Sequence, residues 1–494
     1  MRNHKFKSIF LATSLALFAQ SVCAAPASYV HTSGATVVDI NNADSNGLSH
    51  NMWKDFNVSH KGMILNNSMT DIIREQGNIA KNGNLTSSAK VILNEVISKK
   101  SSALNGFIEV GGLKADVIIS NPNGITCSGC SFINTNHTTL TTGTPVVDKD
   151  GILSGFKVTR GNITINKTMT ADYTTLLADS LIINGQIKSN SIYATAGNYI
   201  YNPADGDVEV ITKSASTGID VSALGGMTAG TIFLTSTSTG AGVNNKGVLN
   251  AQALQINSKG KITHAGTIET ATSAVFNSSD DFTNATQGKI MSNGDITVAS
   301  STDITNYGSI SSHSGSIAME AGSSSSGKGL SIISNLFTSS GNITNSGTLS
   351  SGKNIGLSST KKVNLNKGKL DAGNFVYIAS DSVKNATAIK GKKIDVFSDA
   401  FENTGIMQAS TQMVIFSSKD ITNYGTLKAD TLALSTSGSL VNNKCSLFPF
   451  NVKGTLAANS LIIQAPKLAS INQIGGNLSA SKISFNVPVA PIKK

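Results

Sequence analysis

From residue 240 onward the chain repeats one short pattern: apolar, any, Asn, any, Gly, any, apolar. It reads VNNKGVL at Val243, ITHAGTI at Ile262, ITNYGSI at Ile304, ITNSGTL at Ile343, VKNATAI at Val383, FENTGIM at Phe401, ITNYGTL at Ile421 and VNNKCSL at Val441. Its central position falls at Asn245, His264, Asn284, Asn306, Asn345, Asn385, Asn403, Asn423 and Asn443. The steps cluster near 20 residues and two are near 40; a degraded copy, LNKGKL with Asn366, is expected to fill the second long step. Between copies lies a second short apolar run, such as LALST or MVIFSS.

A fixed period of this length with strand and turn units predicts a solenoid. A leucine-rich repeat has a similar period, but it needs a leucine-dense strand and a helix. Here Gly and Asn interrupt every few residues, which predicts a parallel β-helix with one coil per repeat. No coil closes a core alone. Stacking sets Ile on Ile inside and Asn on Asn at the corners, where side-chain amides bond up the stack. Asn and Gly also tolerate corner conformations that β-branched residues resist. The asparagines therefore read as architecture. Upstream of residue 260 the texture is similar but less regular, with ADVIIS, NITIN, SLIING and SIYATAG as short strands. A helix is expected only over Ser68–Lys81 (SMTDIIREQGNIAK), and a soft boundary without a linker falls near 240–260.

Composition agrees with many short strands and turns. The 494 residues include 46 Gly but only 8 Pro and 1 Trp, and 14% are charged. The even scatter of Val, Ile and Leu is too apolar for a disordered tail. Arg2, Lys5 and Lys7, the apolar run Ser8–Ala19 and the small residues Val22, Cys23 and Ala24 spell a leader, residues 1–24. The formal net charge is +10, with basic residues dispersed and no block beyond pairs such as Lys99–Lys100 and Lys392–Lys393. That lacks the basic stripe with aromatic partners that nucleic-acid binding needs.

The stretch NPNGITCSGC, Asn121–Cys130, is the densest in candidate chemistry. Proline presets φ for the first central position of a turn, Asn123 suits the second, and Gly124 follows where a type I turn favours it. Cys127 and Cys130 are too few for a closed zinc site, which takes four ligands. They also lack the helix of a thioredoxin-like centre. Export favours a disulfide. The pair is expected either as a local disulfide or as a reduced pair packed in the core. GSSSSGKG, Gly322–Gly329, approaches a phosphate-binding loop, but Gly329 replaces the hydroxyl that would hold magnesium and no strand–loop–helix frame surrounds it. No catalytic triad, metal set or cofactor motif is found, and an enzyme is not expected. A carboxylate pair such as Asp280–Asp281 reads more simply as a loop.

Four segments, Phe56–Ser68, Val91–Ile125, Phe132–Pro145 and Ala171–Ile187, follow one another in an order and spacing that resemble the secretion domain of filamentous-hemagglutinin-like two-partner-secretion exoproteins. The C-terminal copies resemble that family's hemagglutinin repeats. The resemblance implies an all-β, right-handed parallel β-helix with an N-terminal secretion and capping domain: leader 1–24, secretion domain 25–260, repeats 261–494. It implies export through the periplasm by an outer-membrane β-barrel transporter with periplasmic domains. The product would be secreted or held at the surface of a Gram-negative bacterium. Carried over from the family's NPNGI hallmark, Asn121, Pro122, Asn123, Gly124 and Ile125 are the candidates for transporter recognition and folding. A second hallmark, NPNL, would fall at Asn82–Leu85, where Gly83 stands in place of proline. A CxxC after the NPNGI turn resembles the haemolysin branch, in which Cys127 and Cys130 would pin that turn. The expected function is an adhesin or hemagglutinin acting on a host or neighbouring cell. The rivals are a haemolysin or a contact-dependent toxin stem, and a β-helix enzyme. The C-terminal segment SASKISFNVPVAPIKK reads as lacking a globular toxin domain, and such exoproteins are usually far longer, so a fragment is an open expectation.

Overall fold

The computed structural model describes residues 25–149, 152–212, 218–240, 242–322, 340–442, 445–447, 450–452 and 454–486. The expected leader, the phosphate-loop look-alike beyond Gly322, and Asn443 lie outside them. The described chain is a parallel β-helix. Forty-one of its strands join one continuous sheet that wraps around a single apolar core.

Each coil contributes three short strands, and residues one coil apart sit in register. Phe282 pairs with Ile304 and Ile304 with Ile343; Ile290 pairs with Ile310 and Ile310 with Leu349. On the third side Val298 pairs with Met319 and Met319 with Leu357. All of these are buried. Alternation along a strand puts every second side chain inside, and each fully buried large aliphatic stabilises by about 1.5–3 kcal/mol. A coil thus earns its stability only with neighbours above and below, as a solenoid requires. The strands Gly226–Ser236, Val248–Ser258 and Thr267–Ser278 stay paired across the 240–260 region.

The corner ladder is present, with two changes from the expected positions. Asn284 donates to Asn306 at 2.8 Å, Asn306 to Asn345 at 2.7 Å, Asn385 to Asn403 at 2.8 Å, Asn403 to Asn423 at 2.7 Å and Asn423 to Asn442 at 2.7 Å. The last rung is Asn442, not Asn443, because Leu440 rather than Val441 takes the inward position opposite Ile421. In the second long step a coil is indeed present, but Leu365, not Asn366, stands between Asn345 and Asn385. Val363 and Leu365 both point inward, and period two leaves Asn366 outside. Across the first long step Ile304 pairs directly with Ile343, so the described coils on either side of it stack in register.

The helix expected over Ser68–Lys81 does not form. Ile72 and Ile79 exchange backbone hydrogen bonds at 2.8 and 3.0 Å, and Gly77 turns the chain at φ +113°. Ile72 and Ile79 pack over Val37 and Ile64, outward-facing residues of the coil wall, and Arg74 pairs with Glu109. Their spacing suits one helix face, but covering exposed wall residues decides the outcome.

A second cover explains the less regular texture of the N-terminal half. An antiparallel sheet of Thr144–Val147, Leu153–Val158, Tyr199–Tyr201 and Val208–Val210 lies outside the helix. Phe156, Val158 and Tyr199 close over Leu93, Ile118 and Leu177 of the coil wall. Under these two covers, Met63–Asn67 beneath Ile72 and Ile79 and Tyr173–Ala178 beneath the outer sheet are buried on both faces, while C-terminal strands such as Asn354–Ser359 alternate strictly. At the N-terminal end Ala27–Val30 pairs antiparallel with Thr36–Asp39, so the first coil does not present a bare parallel edge.

The NPNGI corner and the outer cleft

Asn121 begins the corner and is fully buried. Its side-chain amide donates to the Lys100 carbonyl and to Ser102 Oγ, both at 2.9 Å. Its side-chain oxygen accepts from the Asn123 backbone N–H at 3.0 Å and from Asn123 Nδ2 at 3.1 Å. The Gly124 N–H closes the turn on the Asn121 carbonyl at 3.0 Å. Asn123 keeps an ordinary negative-φ backbone, and only Gly124 takes a positive φ, +109°. Asn123 Nδ2 also donates to the Ser98 carbonyl at 2.8 Å. The turn therefore clamps the loop before Ser102 in the preceding coil. A Cβ on Gly124 would lie 3.1 Å from the Asn162 carbonyl of the next coil. Ile125 then enters the core between Ser102 and Ile163. Of the five residues, Asn121, Gly124 and Ile125 are buried, while Pro122 and Asn123 are half-buried and reach the surface.

Cys127 and Cys130 are joined by a disulfide with Cα atoms 5.5 Å apart. Both are buried, Cys127 between Leu104 and Ile165 and Cys130 beside Met169. Gly129, at φ +103°, makes the intervening bend. The bridge ties the strand leaving the NPNGI turn, Ile125–Cys127, to the next one, Cys130–Ile133.

Asn82–Leu85 repeats the same wiring without the proline. Asn82 Nδ2 donates to the carbonyls of Ile40 and Asn66 at 2.9 Å, and its oxygen accepts from the Asn84 N–H at 2.9 Å. The Leu85 N–H returns to the Asn82 carbonyl at 3.3 Å. The two corners share one device, an Asn whose side chain folds back on its own turn and grips a neighbouring coil.

Sequence reasoning missed the cleft between the coil wall and the outer sheet. It has a volume of about 360 Å³. Leu48, Ile118, Leu153 and Phe156 give it apolar walls, while Asp116, His137 and Thr175 line a polar side. His137 Nε2 and Thr175 Oγ1 are 2.8 Å apart, and the His137 ring stacks on Tyr173. Burial pushes the His137 imidazole below its ordinary value, against the pull of Asp116. Burial raises the Asp116 carboxyl, against hydrogen bonds from the His137 N–H and Asn136. The sequence signal for this cover was the loss of alternation in VIIS and TTLLA, which marks strands buried on both faces.

The chain matches the TPS secretion domain family over residues 20–264. It is 43% identical over 249 residues to a tRNA nuclease CdiA of Yersinia mollaretii, covering 47% of this chain and 8% of that protein. It is 43% identical over 223 residues to Toxin CdiA of Escherichia coli, covering 43% of this chain and 7% of that protein. It is 37% identical over 267 residues to the Hemolysin of Serratia marcescens, covering 49% of this chain and 16% of that protein. The chain thus spans only a small part of the length of these relatives. A crystal structure of the filamentous hemagglutinin secretion domain aligns with a TM-score of 0.45 and 27% identity, covering 66% of this chain and 94% of that one. With the TPS secretion domain placed over residues 20–264, this chain belongs to the two-partner-secretion exoproteins of the filamentous hemagglutinin and haemolysin type.

Proposed function

We propose that the chain is a secreted or surface-displayed adhesin, exported by a cognate outer-membrane β-barrel transporter with periplasmic domains. The observation that carries the export half is the secretion-domain match over residues 20–264. The transporter reads the Asn121–Ile125 corner. Pro122 and Asn123 offer the exposed part of that corner, and Asn121, Gly124 and Ile125 fix its shape. The adhesin half rests on the long solenoid continuous with that domain, which displays outward side chains on every coil.

Co-expression of the full chain with its transporter in a Gram-negative host tests the export half. Folded protein should reach the medium or the cell surface, and protein confined to the periplasm beside a working transporter would contradict it. Adhesion of coated beads to host or bacterial cells tests the other half. A second reading, a haemolysin or a contact-dependent toxin stem, is favoured by the likeness to the Serratia and CdiA proteins. Lysis of erythrocytes, or growth inhibition of neighbouring cells, without adhesion would select it.

A further inference from the structure

The cleft under the outer sheet has polar groups where a seal would have apolar ones. Beside it the same sheet does seal: Phe156, Val158 and Tyr199 are buried against Leu93 and Leu177. A cover made only to seal would meet apolar residues along the whole wall. Instead the outward column Leu48–Val91–Asp116 passes from apolar to charged. Opposite Asp116 the next coil carries a β-bulge. Thr135 pairs with Ala115 and Thr138 with Val117, so Asn136 and His137 together face Asp116. Such a bulge re-aims a side chain, and here His137 joins the cleft lining.

Both groups lack partners that their chemistry calls for. Asp116 is half-buried, and none of the ion pairs among the described residues includes it. Burial raises its carboxyl, the mark of a charge without a countercharge. Lys114, two residues away, is paired with Asp172 at 3.1 Å. His137 Nε2 is engaged by Thr175 Oγ1 at 2.8 Å, and among the described residues Nδ1 has no hydrogen-bond partner. The rest of the lining adds no positive charge, since no lysine or arginine among the described residues lines the cleft. Asp44, exposed at its edge, adds a second carboxylate, whose Oδ1 accepts from the Asn46 and Leu48 N–H groups at 2.8 and 2.9 Å.

We infer that the cleft binds a small organic cation, a primary ammonium carried on a compact apolar body. Its volume of about 360 Å³ lies near the lower end of ligand pockets. The ammonium sits between Asp116 and His137 Nδ1, which fixes the tautomer whose Nε2–H donates to Thr175. The apolar body lies between Ile118 of the wall and Leu153 and Phe156 of the sheet. Other occupants fail on charge or on ligand count. An anion would meet two carboxylates and no cation. A neutral apolar molecule would leave Asp116 desolvated and unpaired. A metal ion would find too few ligands, because no three His, Cys, Asp or Glu side chains gather among the described residues. The organic cation touches coil wall and outer sheet together, so it holds the cover on the coils and stabilises the folded state by linkage.

The test uses the full secreted chain at neutral pH and three probes of similar shape: phenethylamine, phenethyl alcohol and phenylpropionate. Calorimetric titration should show saturable binding of the amine. The alcohol should bind roughly tenfold more weakly, for want of a charge-assisted hydrogen bond, and phenylpropionate should not bind. The amine should also raise the unfolding temperature as its concentration rises. Asp116→Asn keeps an acceptor for the His137 N–H and removes the charge. It should weaken amine binding by roughly tenfold and leave that of the alcohol unchanged. Thr139, in register with Ile118 and Thr175, lines the same wall. Thr139→Leu fills the cleft without altering Asp116 or His137, and should weaken the amine and the alcohol alike. Denaturant unfolding checks each variant, and Thr139→Leu with the probe series decides the matter if Asp116→Asn misfolds. Equal binding of amine and alcohol, or no saturable binding of the amine, would overturn the inference. So would unchanged amine affinity in folded Asp116→Asn or Thr139→Leu.

Discussion

At the scale of single residues, the corner ladder contains one rung that does not fit. His264 stands where Asn stands elsewhere. Its Nδ1 accepts from Asn245 Nδ2 at 3.1 Å, and its Nε2 donates to the Lys289 carbonyl at 3.1 Å. Nothing is left for the Asn284 side-chain oxygen, which is buried without a partner. His264→Asn supplies the missing donor and should stabilise the protein by about 1–3 kcal/mol, the cost of a buried unsatisfied group. Burial holds the His264 imidazole down at about 4, against an ordinary 6.5. As pH falls from 6.5 to 4 the unfolded chain takes up this proton and the folded chain does not. His264 therefore lowers stability through that window, by up to about 3 kcal/mol at its lower end. Denaturant unfolding of both proteins from pH 7.5 to 4 checks this. The difference in stability between His264→Asn and the parent should widen as pH falls. Gly83 offers a second residue-scale case. Its φ is not positive and a Cβ would meet open space, so Gly83→Ala should stabilise by about 0.4–1 kcal/mol through the unfolded chain. A loss of stability would show that the Asn82 corner needs a conformation only glycine provides.

At the scale of elements, the two Asn corners and the disulfide differ in what they hold. Asn121→Ala strands the Ser102 hydroxyl, the Lys100 carbonyl and the Asn123 N–H together. Asn306→Ala removes one rung of a ladder whose coils remain paired on three sides. Secretion of Asn121→Ala or Asn123→Ala should fall further than that of Asn306→Ala, measured as protein in the medium against protein retained. Equal secretion of all three would remove any special role for the turn. Cys127→Ala with Cys130→Ala should keep the β-helix and lower its stability by about 2 kcal/mol, since the bridge closes a very small loop. Circular dichroism and thermal unfolding read both effects. How legible these elements were follows from period. The C-terminal strands show strict alternation, so their inward residues could be named before the fold was seen. Leu365 and Asn442 were misplaced by one position because an Asn sat next to the true rung in LNKGKL and VNNKCSL. Residues 68–81 and the outer sheet escaped because their shape is set by what they cover. Phe156 and Tyr199 find Ile118 and Leu177 only after the coils have stacked, and no local pattern encodes that meeting. The cleft with His137 was hidden for the same reason, whereas the NPNG turn is local and could be drawn from its four residues.

At the scale of the whole molecule, one apolar core runs from Val38 to Ile474 through coils that each depend on their neighbours. Such a chain can fold from one end as it emerges from a membrane, each coil templating the next. On the proposed reading the N-terminal region starts that process. It has an antiparallel strand on its first coil, covers on its outer wall, a disulfide and two clamped corners, while the repeats beyond carry outward-facing chemistry. On this account the secretion domain is sufficient for export, and the repeats are cargo. The most direct measurement is co-expression of the transporter with a chain ending at residue 264, keeping the leader. The truncated protein should appear in the medium in amounts comparable to the full chain, and only when the transporter is present. Retention of the fragment in the periplasm beside a transporter that still exports the full chain would contradict the account.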